Sequence, residues 1–136
     1  MNLATAANRQ PGSSIKPVTV YAPAIDMGKI SPFSVISDYP YQVLNGRAWP
    51  VNVDGVYRGQ VTVNQAVEDS YNTVAVRVLA DLVTPAKGFE YGTQKFHLPL
   101  ISEDVINGRT VSDIAVAPLS MGGLSVGVST RDMANA

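Results

Sequence analysis

Arg9-Gln10-Pro11-Gly12-Ser13-Ser14-Ile15-Lys16-Pro17 decides how the rest of the chain is read, because it sets a hydroxyl and a primary amine three residues apart where a helix begins. On a helix, residues i and i+3 share a face, so the Lys16 side chain can reach the Ser13 oxygen. A serine hydroxyl is a weak nucleophile at neutral pH. A lysine activates it only where burial or a neighbouring cation lowers the amine's own pKa. Pro11 and Gly12 make a tight approach to the helix, and Pro17 falls in its first turn, where a missing N–H costs nothing. Unpaired N–H groups at a helix head also suit a developing oxyanion. Ser13 or Ser14 could instead cap the helix, and Ser14 points about 100° away from the Ser13–Lys16 face.

Composition narrows the chemistry further. At 136 residues the chain holds one domain, and 46% hydrophobic with 15% charged residues is globular rather than disordered. A net charge of −1 without a basic run gives no footprint for nucleic acid. The absence of cysteine excludes disulfides, thiolate catalysis and thiolate metal sites. His97 is the sole histidine, so a Ser-His-Asp triad would have to use it. It stands in Lys95-Phe96-His97-Leu98-Pro99, which reads as a helix end. No two-histidine metal site can form, no carboxylate cluster replaces it, and neither metal nor cofactor is expected. No run of 18 apolar residues and no basic-then-apolar N-terminus is present, so no membrane span or signal peptide is read.

Along the chain, Ser14 to about Asp26 reads as a buried helix that Pro23 should bend or end. Gly28 to Gly59 carries Pro32, Pro40 and Pro50 and reads as an ordered loop or short extended pieces, with Phe33, Tyr39, Tyr41, Trp49 and Tyr57 packing it down or lining a cleft. Thr62-Val63-Asn64-Gln65 has capping-box form and opens a helix to Asp69. Ser70-Tyr71-Asn72 interrupts it. A second apolar helix carries Val74, Val78, Leu79 and Leu82, and Thr84-Pro85 starts another that ends near His97. Ser102 to Asn107 reads as one short helical turn. Ser112 to Leu119 leads into a helix, Met121-Gly122-Gly123-Leu124 is turn-rich, and Ser129-Thr130-Arg131-Asp132 again has capping-box form. The architecture is mainly α with a proline-rich excursion.

Ser70 and Asn72 place a hydroxyl and a carboxamide two residues apart in the break between helices, where i and i+2 can face the same side. Such a pair serves a serine–lysine site as a proton shuttle and as a hydrogen-bonding anchor for a peptide. Taken with Gln10-Pro11-Gly12 before, and Gly122-Gly123-Leu124, Gly127-Val128-Ser129 and Met133-Ala134 after, these elements resemble the transpeptidase domain of penicillin-binding proteins, closest to the bifunctional class A type. The resemblance runs from Asn2-Leu3-Ala4-Thr5 to the end of the chain. It implies an acyl-serine mechanism on D-alanyl-D-alanine stem peptides of peptidoglycan, with β-lactams acylating the same serine. Ser13 would be the nucleophile, Lys16 its base, Ser70 the proton relay and Asn72 the anchor for Lys16 and the substrate amide, with Tyr71 in the cleft wall. It also implies an extracytoplasmic location at the bacterial cell membrane for the full-length protein.

The sequence departs from the family in one respect: no Lys-Thr-Gly or Lys-Ser-Gly occurs, and Lys87-Gly88 does not substitute. Residues 1–136 are therefore expected to be part of a transpeptidase domain, the helical subdomain of an α/β fold whose central sheet strands come largely from sequence on both sides. That arrangement should expose apolar surface on the helices, favouring self-association or a partner fragment, and the chain alone should be inactive. Two rivals use the same pair of motifs. A serine β-lactamase would add a glutamate, for which Glu103…Asn107 offers an E-x-x-x-N pattern, and a non-catalytic penicillin-sensing module would keep the acylation site without turnover.

Overall fold

The helix that carries Lys16 begins with a 3₁₀ turn, Gly12–Ile15, in which the Lys16 N–H donates to the Ser13 carbonyl. A computed structural model describes residues 11–102, 104–106, 109–124, 127–128 and 130–136. From Pro17 the helix widens, with Ala22 N–H donating to Pro17 C=O over Pro17–Tyr21, and then tightens into α1 (Ala22–Asp26). Pro23 does not end it. In regular α geometry the proline ring would meet the carbonyl four residues back, at Thr19, and the wide turn just upstream opens that space. The helix runs on to Met27 and Gly28, where φ is +70°.

The proline-rich excursion forms short extended pieces, as its composition suggests. β1 (Val35–Asp38), β2 (Gln42–Leu44), β3 (Arg47–Trp49) and β4 (Gly59–Thr62) follow in chain order. β2 and β3 form an antiparallel hairpin closed by Asn45 and Gly46, both at positive φ, the backbone a two-residue hairpin turn demands. β1 and β4 pair antiparallel, Val35 opposite Thr62 and Asp38 opposite Gly59.

α2 (Val63–Glu68) starts where the capping box lies, with Gln65 N–H donating to Thr62 Oγ1 at 3.1 Å. Ser70 takes φ +55°, which breaks the helix, and Tyr71 N-caps α3 (Asn72–Arg77). α3 continues as a wide helical turn, Val78–Val83, stopped by Thr84 at φ +78°. Val74, Ala75, Val76, Val78 and Leu79 are fully buried there, making this the axis of the core. Each of the valines and Leu79 contributes about 1.5–3 kcal/mol on burial. α4 (Pro85–Glu90) opens with proline at its first position and extends as a wide turn, Tyr91–Lys95, to His97, which is exposed at φ +58°.

Residues 104–106, in the segment read as a helical turn, are extended instead. β5 (Asp104–Ile106) pairs antiparallel with β6 (Arg109–Val111), Ile106 opposite Arg109. Two triplets rich in β-branched residues, Asp104–Ile106 and Arg109–Val111, flank Asn107-Gly108 in the sequence, a hairpin signal that a helical reading of the segment overlooks. α5 (Val116–Met121) ends at Gly122 in the left-handed conformation, and α6 (Thr130–Asn135) closes the chain; Ser129, of the second capping box, lies outside the described residues.

Two hydrophobic clusters hold these pieces together. The larger gathers Val20, Tyr21, Val63, Tyr71, Leu79 and Leu119 among others, and the smaller joins Ile15 and Val18 to Leu98, Leu124 and Val128. α4 approaches the Lys16 helix closely because it presents Gly88 and Gly92. A Cβ on Gly88 would lie 2.8 Å from Leu79 Cδ1 and from Thr19 C=O, and one on Gly92 would lie 2.8 Å from Leu100 Cδ1 and 3.2 Å from the Thr19 methyl.

Candidate active site

Lys16 is only 2% exposed, and its ammonium points at the junction of α2 and α3. Nζ donates to the Ser70 carbonyl at 2.9 Å, to Ser70 Oγ at 2.9 Å and to Asn72 Oδ1 at 2.7 Å. These three acceptors match the three protons of an ammonium, and all are neutral oxygens. Burial without a carboxylate to offset it lowers the Lys16 pKa from 10.5 to about 8. At pH 7 roughly a tenth of the side chain is then the free amine.

Positive φ at Ser70 is what allows both its carbonyl and its hydroxyl to face Lys16. Asn72 is fixed from the other side, because its amide donates to the Val51 carbonyl at 2.9 Å. One amide N–H remains for another acceptor. Sequence reasoning singled out Lys16, Ser70 and Asn72, which the fold brings together across more than fifty residues.

Ser13 sits one 3₁₀ turn before Lys16. At three residues per turn, positions i and i+3 eclipse, which aligns the pair more closely than an α-helix would. Ser13 is exposed, and the three Lys16 donors go to Ser70 and Asn72, not to Ser13. Ser14 is engaged elsewhere: its hydroxyl donates to the Pro11 carbonyl at 2.7 Å. Both serines are exposed, and the hydroxyl aligned with Lys16 is the one not tied to the Pro11 carbonyl.

Tyr71 is more deeply placed than a cleft-wall residue. Its ring is 4% exposed within the larger cluster, with the Arg58 guanidinium 4.6 Å from the ring centre. Burial and its hydrogen bond to Asp69 raise the Tyr71 pKa, so the phenol stays protonated and donates to Asp69 at 3.1 Å. Tyr71, with Ser70, borders a cavity of about 410 Å³. His97 is far along the chain at an exposed helix end and makes no part of this cluster. Glu103 and Asn107 lie outside the described residues. Among the described residues no group of three or more metal-ligating side chains assembles, and no helix is long and apolar enough to cross a membrane.

Two supports carried no local sequence signal. Asp38, fully buried, accepts from Asn52 Nδ2 at 2.7 Å, Thr73 Oγ1 at 2.6 Å and Arg58 N–H at 2.9 Å. It thereby ties the 50–58 loop, which offers the Val51 carbonyl, to the first turn of α3, which offers Asn72. The second is a glycine contact: a Cβ on Gly122 would lie 2.3 Å from Gly12 C=O and 2.5 Å from Gly12 N. Only a glycine lets the end of α5 abut the turn that presents Ser13.

The family model described as penicillin binding protein transpeptidase domain matches residues 1–136. The chain belongs to the penicillin-binding protein transpeptidase family. It is 34% identical to penicillin-binding protein 1A of Clostridium tetani over 99% of this chain and 17% of that protein, and 37% identical to penicillin-binding protein 1F of Bacillus subtilis over 96% and 16%. A crystal structure of penicillin-binding protein 1A from Haemophilus influenzae superposes with a TM-score of 0.72 at 25% identity, over 98% of this chain and 18% of that one. The chain thus spans about a sixth of these relatives' lengths, and its helices and small hairpins are a partial α/β transpeptidase fold.

Proposed function

We propose that this segment carries the acylation machinery of a D,D-transpeptidase that cross-links peptidoglycan stem peptides through an acyl-serine. The observation that supports it most is the buried Lys16 amine, lowered to about pH 8 and held by Ser70 and Asn72 one 3₁₀ turn from an accessible Ser13. In its neutral form Lys16 takes the Ser13 proton as Ser13 Oγ attacks the carbonyl between two D-alanines. Ser70, already hydrogen-bonded to Nζ, relays that proton to the nitrogen of the departing D-alanine, and an ester to Ser13 remains. An amine of a second stem peptide then attacks the ester carbonyl, an amide forms, and Ser13 regains its proton. The free N–H of Asn72 suits the amide carbonyl of the donor peptide. β-Lactams acylate Ser13 by the same route and leave a slower ester.

The chain contains no K-[ST]-G, so the substrate-binding edge and part of the oxyanion hole come from elsewhere in the full-length protein, and the segment alone is inactive. Loss of one oxyanion donor alone costs roughly 10²–10³ in rate. The activity belongs at the extracytoplasmic face of the membrane, where stem peptides are exposed. The test is D-alanine release and cross-link formation from a D-Ala-D-Ala pentapeptide donor by the full-length protein that carries this segment. One D-alanine per cross-link, lost in Lys16→Met, is the expected result. Equal turnover in Lys16→Met, or none in the wild type, overturns the proposal.

A further inference from the structure

The cavity beside Ser70 has no part in acylation as described above, yet Ser70 forms part of its wall. It lies between the 52–58 loop and the α2–α3 junction, holds about 410 Å³, and is bordered by Asp54, Arg58, Gln65, Asp69, Ser70 and Tyr71. That volume falls in the range of small-ligand sites. Its charge is uneven: two carboxylates against one guanidinium. Arg58 and Asp54 are committed to each other, with the guanidinium set over the Tyr71 ring, so the negative charge left on the wall is that of Asp69, which accepts from the Tyr71 hydroxyl. The cavity therefore favours a cation and disfavours an anion.

The two substrates of the proposed reaction differ in this property. The donor stem ends in a D-alanine carboxylate, whereas the acceptor brings a primary amine that is an ammonium in water. We propose that this cavity is the acceptor subsite, taking the amine-bearing side chain of the second stem peptide with Asp69 as the main carboxylate facing the ammonium; this rests on the transpeptidase reading above. The position fits the chemistry. An ammonium held there releases one proton to solvent to become the nucleophilic amine. Its nitrogen then forms a bond to the acyl carbon, the ester C–O bond to Ser13 breaks, and the second proton passes through Ser70 and Lys16 to the Ser13 oxygen. An amine arriving past Ser70 meets the relay on its way to the ester.

The experiment uses the full-length protein carrying this segment, a D-alanyl thioester as acyl donor, and Nα-acetyl-lysinamide as the amine. The readout is the ratio of aminolysis to hydrolysis of the acyl-enzyme, which is normalised within each variant. Asp69→Asn should lower that ratio at least fivefold at a fixed sub-saturating amine concentration. Gln65→Glu, which adds a negative charge to the same wall, should raise it. An unchanged ratio in either variant, or a shift of the same sign in both, overturns the subsite. Formation of a penicillin adduct on the wild-type protein is measured in parallel. An adduct with no charge effect on the ratio removes the subsite alone, and no adduct removes the transpeptidase reading beneath it.

Discussion

At the residue scale, the proposed chemistry rests on one buried amine whose three partners are uncharged. Burial makes the protonated form costly, so the base is available at lower pH than an ordinary lysine. In the proposed mechanism only the neutral amine accepts the Ser13 proton. The rate of acylation by a penicillin should therefore rise with pH and level off above about 8, lying roughly a hundredfold below the plateau at pH 6. A profile flat from pH 6 to 9 in stopped-flow or mass-resolved acylation would remove Lys16 as the base. Asn72→Ala should slow acylation by about 10²-fold, because Lys16 loses its shortest hydrogen bond and the Val51 carbonyl loses its donor. Sequence alone reached Ser13, Lys16, Ser70 and Asn72, since hydroxyl, amine and amide at those spacings have a chemical reason to occur together. Tyr71 was legible as a neighbour but not as a core residue, because an isolated tyrosine in a helix break gives no sign of which way its ring turns.

At the element scale, the site depends on two close approaches and one buried carboxylate. Gly122→Ala places a Cβ into the Gly12 backbone at a residue whose φ is +81°. It should destabilise the protein by about 1–3 kcal/mol and slow acylation of Ser13 by roughly 10²-fold through displacement of the 3₁₀ turn. Thermal unfolding with acylation kinetics on the same sample checks both. Asp38→Asn removes the charge that three donors share and should cost about 3 kcal/mol, with a matching loss of acylation rate as the 50–58 loop shifts. The helices were largely legible, because caps at Thr62 and Thr84 and apolar spacing through 74–82 are local. The pairing of 104–106 with 109–111 is not legible from a short apolar run, which suits a helical turn and a strand alike. Contacts such as Asp38 to Thr73 or Gly12 to Gly122 join positions 35 and 110 residues apart, and no local pattern encodes them.

At the scale of the whole segment, the helices bury most of their apolar faces, with Ile25 and Val67 as the partly exposed exceptions. The larger exposures fall on the excursion instead: Val53 at 93%, Phe33 at 84% and Val43 at 69%. The segment on its own should therefore self-associate through the excursion, and Phe33→Ser with Val43→Lys should shift it toward monomer in sedimentation velocity. Association unchanged by that pair would place the sticky surface on the helices. The nucleophile is tested by peptide mapping after penicillin treatment of the full-length protein. A single ester adduct is expected on Ser13, retained in Ser14→Ala and abolished in Ser13→Ala. An adduct on Ser14, or none on a folded wild-type protein, would contradict it.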